Sequence, residues 1–287
     1  MRLGVVMMGV GAHAAANAGV LRVLEERGIE PHCVCAINGG AWIAALWAMG
    51  RQPAQIKDAV SAAQQMGTRL FAPTIGAKAM LNKGANALCD GRRIEQMLLS
   101  QTGHRVLSLC ERPVIFPCIL ARSGYRVVFS TRTIETEPGT MPAMQASVSF
   151  AARAVMALPP LIAPLEYMGS ALLGEQDAAF ACRMLLQLGA QRVMIVCPQV
   201  SQKRKPDAFD LMAATLMGDI QGAAREAHAG LMCVPLPEEA GAADMRYAML
   251  CEQAGYTAAR EQIDILFAQL GMARCRVLPF ERRVRAT

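Results

Sequence analysis

The sequence predicts an α/β protein with a mostly parallel central sheet flanked by helices, and three observations predict it. Residues 3–8, Leu-Gly-Val-Val-Met-Met, form an uncharged apolar run that stops at Gly9-Val10-Gly11. A second run, 33–37, stops at Asn38-Gly39-Gly40 and passes directly into the apolar segment 41–49. Between them, 13–27 carries Val20, Leu21 and Leu24 on one helical stripe. Strand, helix and strand within roughly 35 residues make a βαβ unit, whose strands are parallel and whose helix lies on the sheet.

The chain continues in the same style. Gly28 stops the first helix, Pro31 restarts the chain, and Gly50 closes the helix after Asn38. Further helices are predicted over 53–66 and 92–101, the second with Asp90 as N-cap. The Gly-, Asn- and Lys-rich segment 67–88 between them reads as a lid, an active-site loop or a plain surface excursion. Residues 113–121 and 125–130 flank Arg122-Ser123-Gly124 and read as a hairpin. A helix is expected over 142–156, ended by Pro159-Pro160, then a broken polar stretch over 166–176. Helix 178–188 and strand 192–197 form a second αβ pair. A long helix over 207–228, a strand over 231–236 and a last helix over 256–270 complete the chain. No repeat or linker interrupts it, so residues 1–287 are expected to form a single domain.

Composition narrows the function. At 287 residues and 53% hydrophobic, the chain can bury a large core. Its formal charge is +6, concentrated in Lys203-Arg204-Lys205 and Arg282-Arg283-Arg285. With only 5% aromatic residues beside that charge, no nucleic-acid partner is expected, and weak contact with an anionic membrane surface fits better. The ten cysteines lack metal-ligand spacing, and many sit in apolar runs, which predicts reduced thiols, a cytoplasmic setting and no metal. Met1-Arg2, an apolar run and Ala14-Ala15-Ala16 imitate a signal peptide, but Gly9-Val10-Gly11 breaks the run as a strand-to-loop turn does. The uncharged stretch 33–50 is nearly long enough to span a bilayer, yet Asn38-Gly39-Gly40 at its middle suits no lipid-facing helix.

The sharp corner at Asn38 has the layout of a nucleophile elbow, in which one side chain stands at the tip of a strand-to-helix turn. Asn tolerates φ > 0 there, and Gly39 and Gly40 carry no Cβ. Asn is not a nucleophile.

These residues fall into a wider pattern. The segment from Gly4 to His13 resembles the first strand and glycine loop of the patatin-like phospholipases, G-G-G-x-[RK]-G. Asn17-Ala18-Gly19-Val20-Leu21 through Gly28-Ile29-Glu30-Pro31 is similar to that family's next helix and turn. Ala36 to Ala41 falls on its G-T-S-A-G-A elbow, and Ala152 to Pro159, with Pro164 and Gly169, on its A-x-R-A-S block. Leu173-Gly174-Glu175 falls on D-G-[GA], Leu188 to Val193 on LGAdrV, and Gly255-Tyr256 on the start of the last helix. The resemblance implies a patatin-like fold and ester hydrolysis by a Ser–Asp dyad beside a glycine-rich oxyanion hole. Carried over position by position, the serine is Asn38 and the aspartate is Leu173. The hole and its anion-binding turn are Gly9, Val10, Gly11, Ala12 and His13, with Val10 in place of the middle glycine and His13 in place of the Arg or Lys. Val155 replaces the serine of the A-x-R-A-S block.

Three readings follow. The first is a non-catalytic family member that binds an acyl-bearing or anionic small ligand, or a partner, without a cofactor. The second is a hydrolase with relocated groups, for which Ser170, Cys35, Glu175 and Asp177 are the candidates. The third is a nucleotide-binding oxidoreductase, read from Gly9-x-Gly11-x-x-Ala14, a dinucleotide-binding spacing, although the second strand closes without the acid that holds a ribose.

Overall fold

The computed structural model describes residues 2–74, 87–135, 137–201, 206, 208–216 and 220–272. Nine strands form one sheet: β1 (Leu3–Met7), β2 (Cys33–Ala36), β3 (Val114–Leu120), β4 (Arg126–Ser130), β5 (Thr140–Ala143), β6 (Leu165–Tyr167), β7 (Ser170–Gly174), β8 (Arg192–Gln199) and β9 (Gly230–Pro235). Their order is β5-β4-β3-β2-β1-β8-β9, with the β6–β7 hairpin attached to β3. The run β3-β2-β1-β8-β9 is parallel throughout. Strands β3 and β4 form the expected antiparallel hairpin.

Both faces of this sheet are covered, which is why its central strands read as unbroken apolar runs. Val5, Met7, Val34 and Ala36 point into one core layer with α1 (Ala16–Glu26), α2 (Gly40–Ala48) and α3 (Pro53–Ala63). Val6, Met8, Cys33, Cys35 and Ile37 point into the other layer. Two further helices, α4 (Arg92–Thr102) and α5 (Val148–Val155), join the first layer. The second layer is closed by α6 (Ala178–Gln187) and α8 (Ile220–Glu226), and α7 (Ala208–Leu216) lies between them in sequence. The last helix, α9 (Ala248–Gln269), packs on α1. A Cβ on Gly19 would meet Glu252 O at 2.0 Å and one on Gly255 would meet Ala16 O at 2.0 Å, so the two backbones touch through these glycines.

Several elements differ from the sequence expectation. The stretch 166–176 is no broken loop: β6 and β7 form a hairpin whose turn, Met168-Gly169, has φ of 51° and 70°. The helix expected over 142–156 begins only at Val148, where Ser147 accepts a hydrogen bond from Phe150 N as N-cap. Pro142 instead sits in the edge strand β5, a place that tolerates its missing N–H. The residue opening α4 is Gly91 at φ 76°, with the Asp90 carboxylate accepting from Arg92 N at 3.1 Å. Helix α9 starts eight residues before its expected point, because Gly255 serves close packing and does not mark a boundary. Part of the expected loop 67–88 is a 3-10 segment, Gln64–Phe71, and residues 75–86 lie outside the described residues. The basic clusters at 203–205 and 282–285 also lie outside them. Among the described residues no helix is long and apolar enough to cross a membrane.

Candidate functional site: the elbow at Asn38

Strand β2 ends at Ala36, Ile37 N donates to Met7 O, and the chain turns into α2 within three residues. Asn38 holds φ 51° and is 5% exposed. Gly39 donates its N–H to Gly9 O at 2.7 Å, locking the elbow to the glycine loop after β1. A Cβ on Gly40 would fall 2.0 Å from Met7 O, so this corner excludes any larger residue.

The Asn38 side chain is fully engaged. Its Nδ2 donates to Gln176 Oε1 at 2.5 Å, and Gln176 Nε2 donates back to Asn38 Oδ1 at 3.0 Å. Gln176 Nε2 also reaches Gly174 O at 2.8 Å. This reciprocal amide pair joins the elbow to the loop between β7 and α6. That loop is built around Glu175, which is 3% exposed. Its Oε1 accepts from Gln176 N at 2.8 Å and Asp177 N at 3.0 Å, and its Oε2 accepts from Arg126 Nε at 2.6 Å. Arg126 in turn lies over the Phe180 ring, 4.4 Å from its centroid. Asp177 caps α6 by accepting from Phe180 N. Leu173 sits half-buried in β7 opposite Ile119 and brings no acid to the site. The residue that meets Asn38 is Gln176, three positions on.

The glycine loop is covered. Gly11, at φ 54°, leaves no room for a Cβ, which would fall 1.8 Å from Ala242 O. That carbonyl accepts the Ala12 N–H at 2.8 Å. Ala242 N donates to Asp210 Oδ1 at 3.2 Å, and Asp210 Oδ1 lies 3.8 Å from His13 Nε2. His13 is 1% exposed and contacts Ala240 O at 2.9 Å. Within the turn expected to receive an anion, Val10, Gly11, Ala12 and His13, two groups are engaged. Ala12 is spent on a carbonyl, and the His13 ring is packed against a carbonyl and a carboxylate, both of which repel an anion. Among the described residues the Val10 and Gly11 N–H groups have no acceptor. The same carbonyl stands over Gly11, the second glycine of the dinucleotide spacing.

The relocated candidates are also occupied. Ser170 Oγ accepts from Arg122 N, and Glu175 is the hub just described. Cys35 lies fully inside the second core layer, where burial pushes its thiol well above the ordinary range. Sequence reasoning missed Gln176, Asp210 and Ala242. Gln176 neighbours two acids that drew the weight, and the other two reach the site from more than 170 residues away, which no local pattern records. Neither the cavity of about 220 Å³ beside Trp47 nor the groove of about 560 Å³ beside His228 is lined by Asn38.

No curated protein sequence matches. Among solved structures, VipD from Legionella pneumophila aligns at TM-score 0.49 and 13% identity, covering 92% of this chain and 67% of that one. The type III effector ExoU aligns at 0.40 and 14%, covering 94% of this chain and 53% of that one. In its complex with SpcU from Pseudomonas aeruginosa, ExoU aligns at 0.42 and 14%. This chain thus spans about half the length of the ExoU chains. The profile of the family described as patatin-like phospholipase matches residues 5–186, more than half of the sequence. The chain belongs to the patatin-like phospholipase family.

Proposed function

We propose that this protein is a non-hydrolytic member of its family, one that keeps the fold and acts by binding. Ester hydrolysis needs an attacking atom, a base to take its proton, and donors waiting for the oxyanion. The observation that carries the reading is the Asn38–Gln176 pair, two neutral amides at the meeting point of elbow and β7–α6 loop. Neither is a nucleophile at neutral pH and neither takes up a proton there. The Ala242 carbonyl over Gly11 supports it further, since a carbonyl oxygen beside a developing oxyanion opposes charge build-up. A binding role fits a small ligand or a partner protein, and the free thiols of the nine described cysteines suit a reducing, cytoplasmic setting.

The test is hydrolysis of short- and long-chain acyl esters by the purified protein, read for a burst and for steady turnover. The expected outcome is neither above background. Turnover that disappears on replacing Ser170 or Glu175 would overturn the reading in favour of relocated catalytic groups.

A further inference from the structure

At the pole opposite the elbow, where the chain enters β2 and β3, α1, α2 and α3 surround the cavity of about 220 Å³. Leu21, Ile29, Pro53 and Trp47 give it an apolar floor. Trp47 is 2% exposed. The other tryptophan, Trp42, donates its indole N–H to Gln101 Oε1 at 2.7 Å, whereas that of Trp47 has no acceptor among the described residues. That N–H belongs to a residue lining the cavity and is open to water there, so a ligand acceptor that enters takes the place of water as its partner.

Arg112 stands beside it, its guanidinium carbon 5.4 Å from the Trp47 ring centroid. Main-chain carbonyls of Trp47 and Arg51 accept from Nη1 at 3.1 and 2.8 Å, and Glu30 Oε1 accepts from Nε at 2.7 Å. The guanidinium is thereby fixed in place, and Nη2 has no partner among the described residues. The α1 wall supplies the opposite charge. Glu25 lines the cavity, makes no ion pair among the described residues, and stands in the last turn of α1, where the helix dipole favours a cation.

We propose that this cavity binds a small apolar zwitterion of the kind a free aliphatic or aromatic amino acid represents. Its carboxylate accepts from the Trp47 indole and Arg112, its ammonium donates to Glu25, and its side chain lies on Leu21, Ile29 and Pro53. The space suits a molecule of roughly ten non-hydrogen atoms, below the range of drug-sized sites. None of these groups touches the elbow, so the site stands whether or not the elbow hydrolyses esters.

Calorimetric titration of the full chain with L-leucine, isopentylamine and 4-methylpentanoate tests it. L-Leucine is expected to bind, and each singly charged analogue to bind about tenfold more weakly or worse. Trp47→Phe keeps an aromatic ring and removes the donor, and Glu25→Gln keeps the size at an exposed position. Each is expected to weaken L-leucine about tenfold. No binding of L-leucine or L-phenylalanine at millimolar concentration overturns the proposal. So does binding unchanged by both substitutions, or an analogue that equals L-leucine. Should Trp47→Phe fail to fold, undiminished binding by Glu25→Gln alone overturns it. Ester hydrolysis is read separately on the same preparation, so the two readings fail independently.

Discussion

Asn38 sits in a left-handed conformation that costs an ordinary side chain about 1–2 kcal/mol, and Asn less than most. The amide pair with Gln176 offsets that cost, each net hydrogen bond contributing about 1 kcal/mol. Two substitutions separate these effects. Asn38→Ala keeps the strain and loses both bonds, whereas Asn38→Gly loses the bonds and relieves the strain. Urea unfolding should therefore place Asn38→Ala about 1 kcal/mol below Asn38→Gly. Equal midpoints would mean the strain is relieved some other way. The same geometry limits what a restored dyad can do. With Asn38→Ser and Gln176→Glu, a hydroxyl and a carboxylate would face each other, yet Ala242 O would still hold the Ala12 N–H. The double variant is expected to show no ester turnover, and turnover above background would mean that the Ala242 segment moves aside. The elbow itself was legible in the sequence, because an apolar strand that ends in Asn-Gly-Gly before an apolar helix leaves few backbone solutions. Its partner was not, because Gln176 has no chemistry that marks it among polar neighbours.

At the scale of elements, legibility followed the reach of the signal. Strands β1, β2, β3, β4 and β8 announce themselves as apolar runs bounded by turn residues. The β6–β7 hairpin does not, because its turn places Met168 at φ 51° where Asn would be the usual cue. The start of α9 was hidden by Gly255, whose role is contact with α1. That contact yields a prediction. Gly19→Ala and Gly255→Ala each drive a methyl to 2.0 Å from a carbonyl oxygen on the facing helix. Backbone, not a flexible side chain, must then shift, and each variant should lose about 3 kcal/mol or more in denaturant unfolding. A loss below about 1 kcal/mol would show that the helices slide apart without penalty. The segment over the glycine loop has its own signature. Asp244 caps the turn after Ala242, and the hydrogen bond from Arg246 is the main cause holding its carboxyl below the usual range. A depressed folded value means that the ionised form favours the fold. Its contribution is present at neutral pH and is lost as pH falls through the acid range below about 4. Asp244→Asn should flatten the fall in stability between pH 6 and 3, and an unchanged slope would refute the assignment.

For the whole molecule, a sheet covered on both faces leaves its thiols inside. Cys33, Cys35 and Cys182 lie together in the layer between β2 and α6, and Cys118 is fully buried in β3. Desolvation is the first cause in each case. It raises Cys33, Cys182, Cys197 and Cys251 to about 12, and Cys35 and Cys118 well above the ordinary value. The thiolate is the reactive form, so at neutral pH these groups are shielded twice, by access and by protonation. Cys233, on the edge strand β9, is the half-buried exception, and its thiol is raised by a smaller degree of burial. Labelling with a disulfide reagent at pH 7.5 should separate the two classes, with Cys275→Ser as background because position 275 lies outside the described residues. One thiol, removed by Cys233→Ser, should react before the rest. The others should react only as fast as the fold opens, and together once denaturant unfolds it. Rapid labelling of Cys35 in the folded protein would mean that the elbow end of β2 is open to solvent. The covered site at Asn38 would then have to be abandoned along with the sealed core.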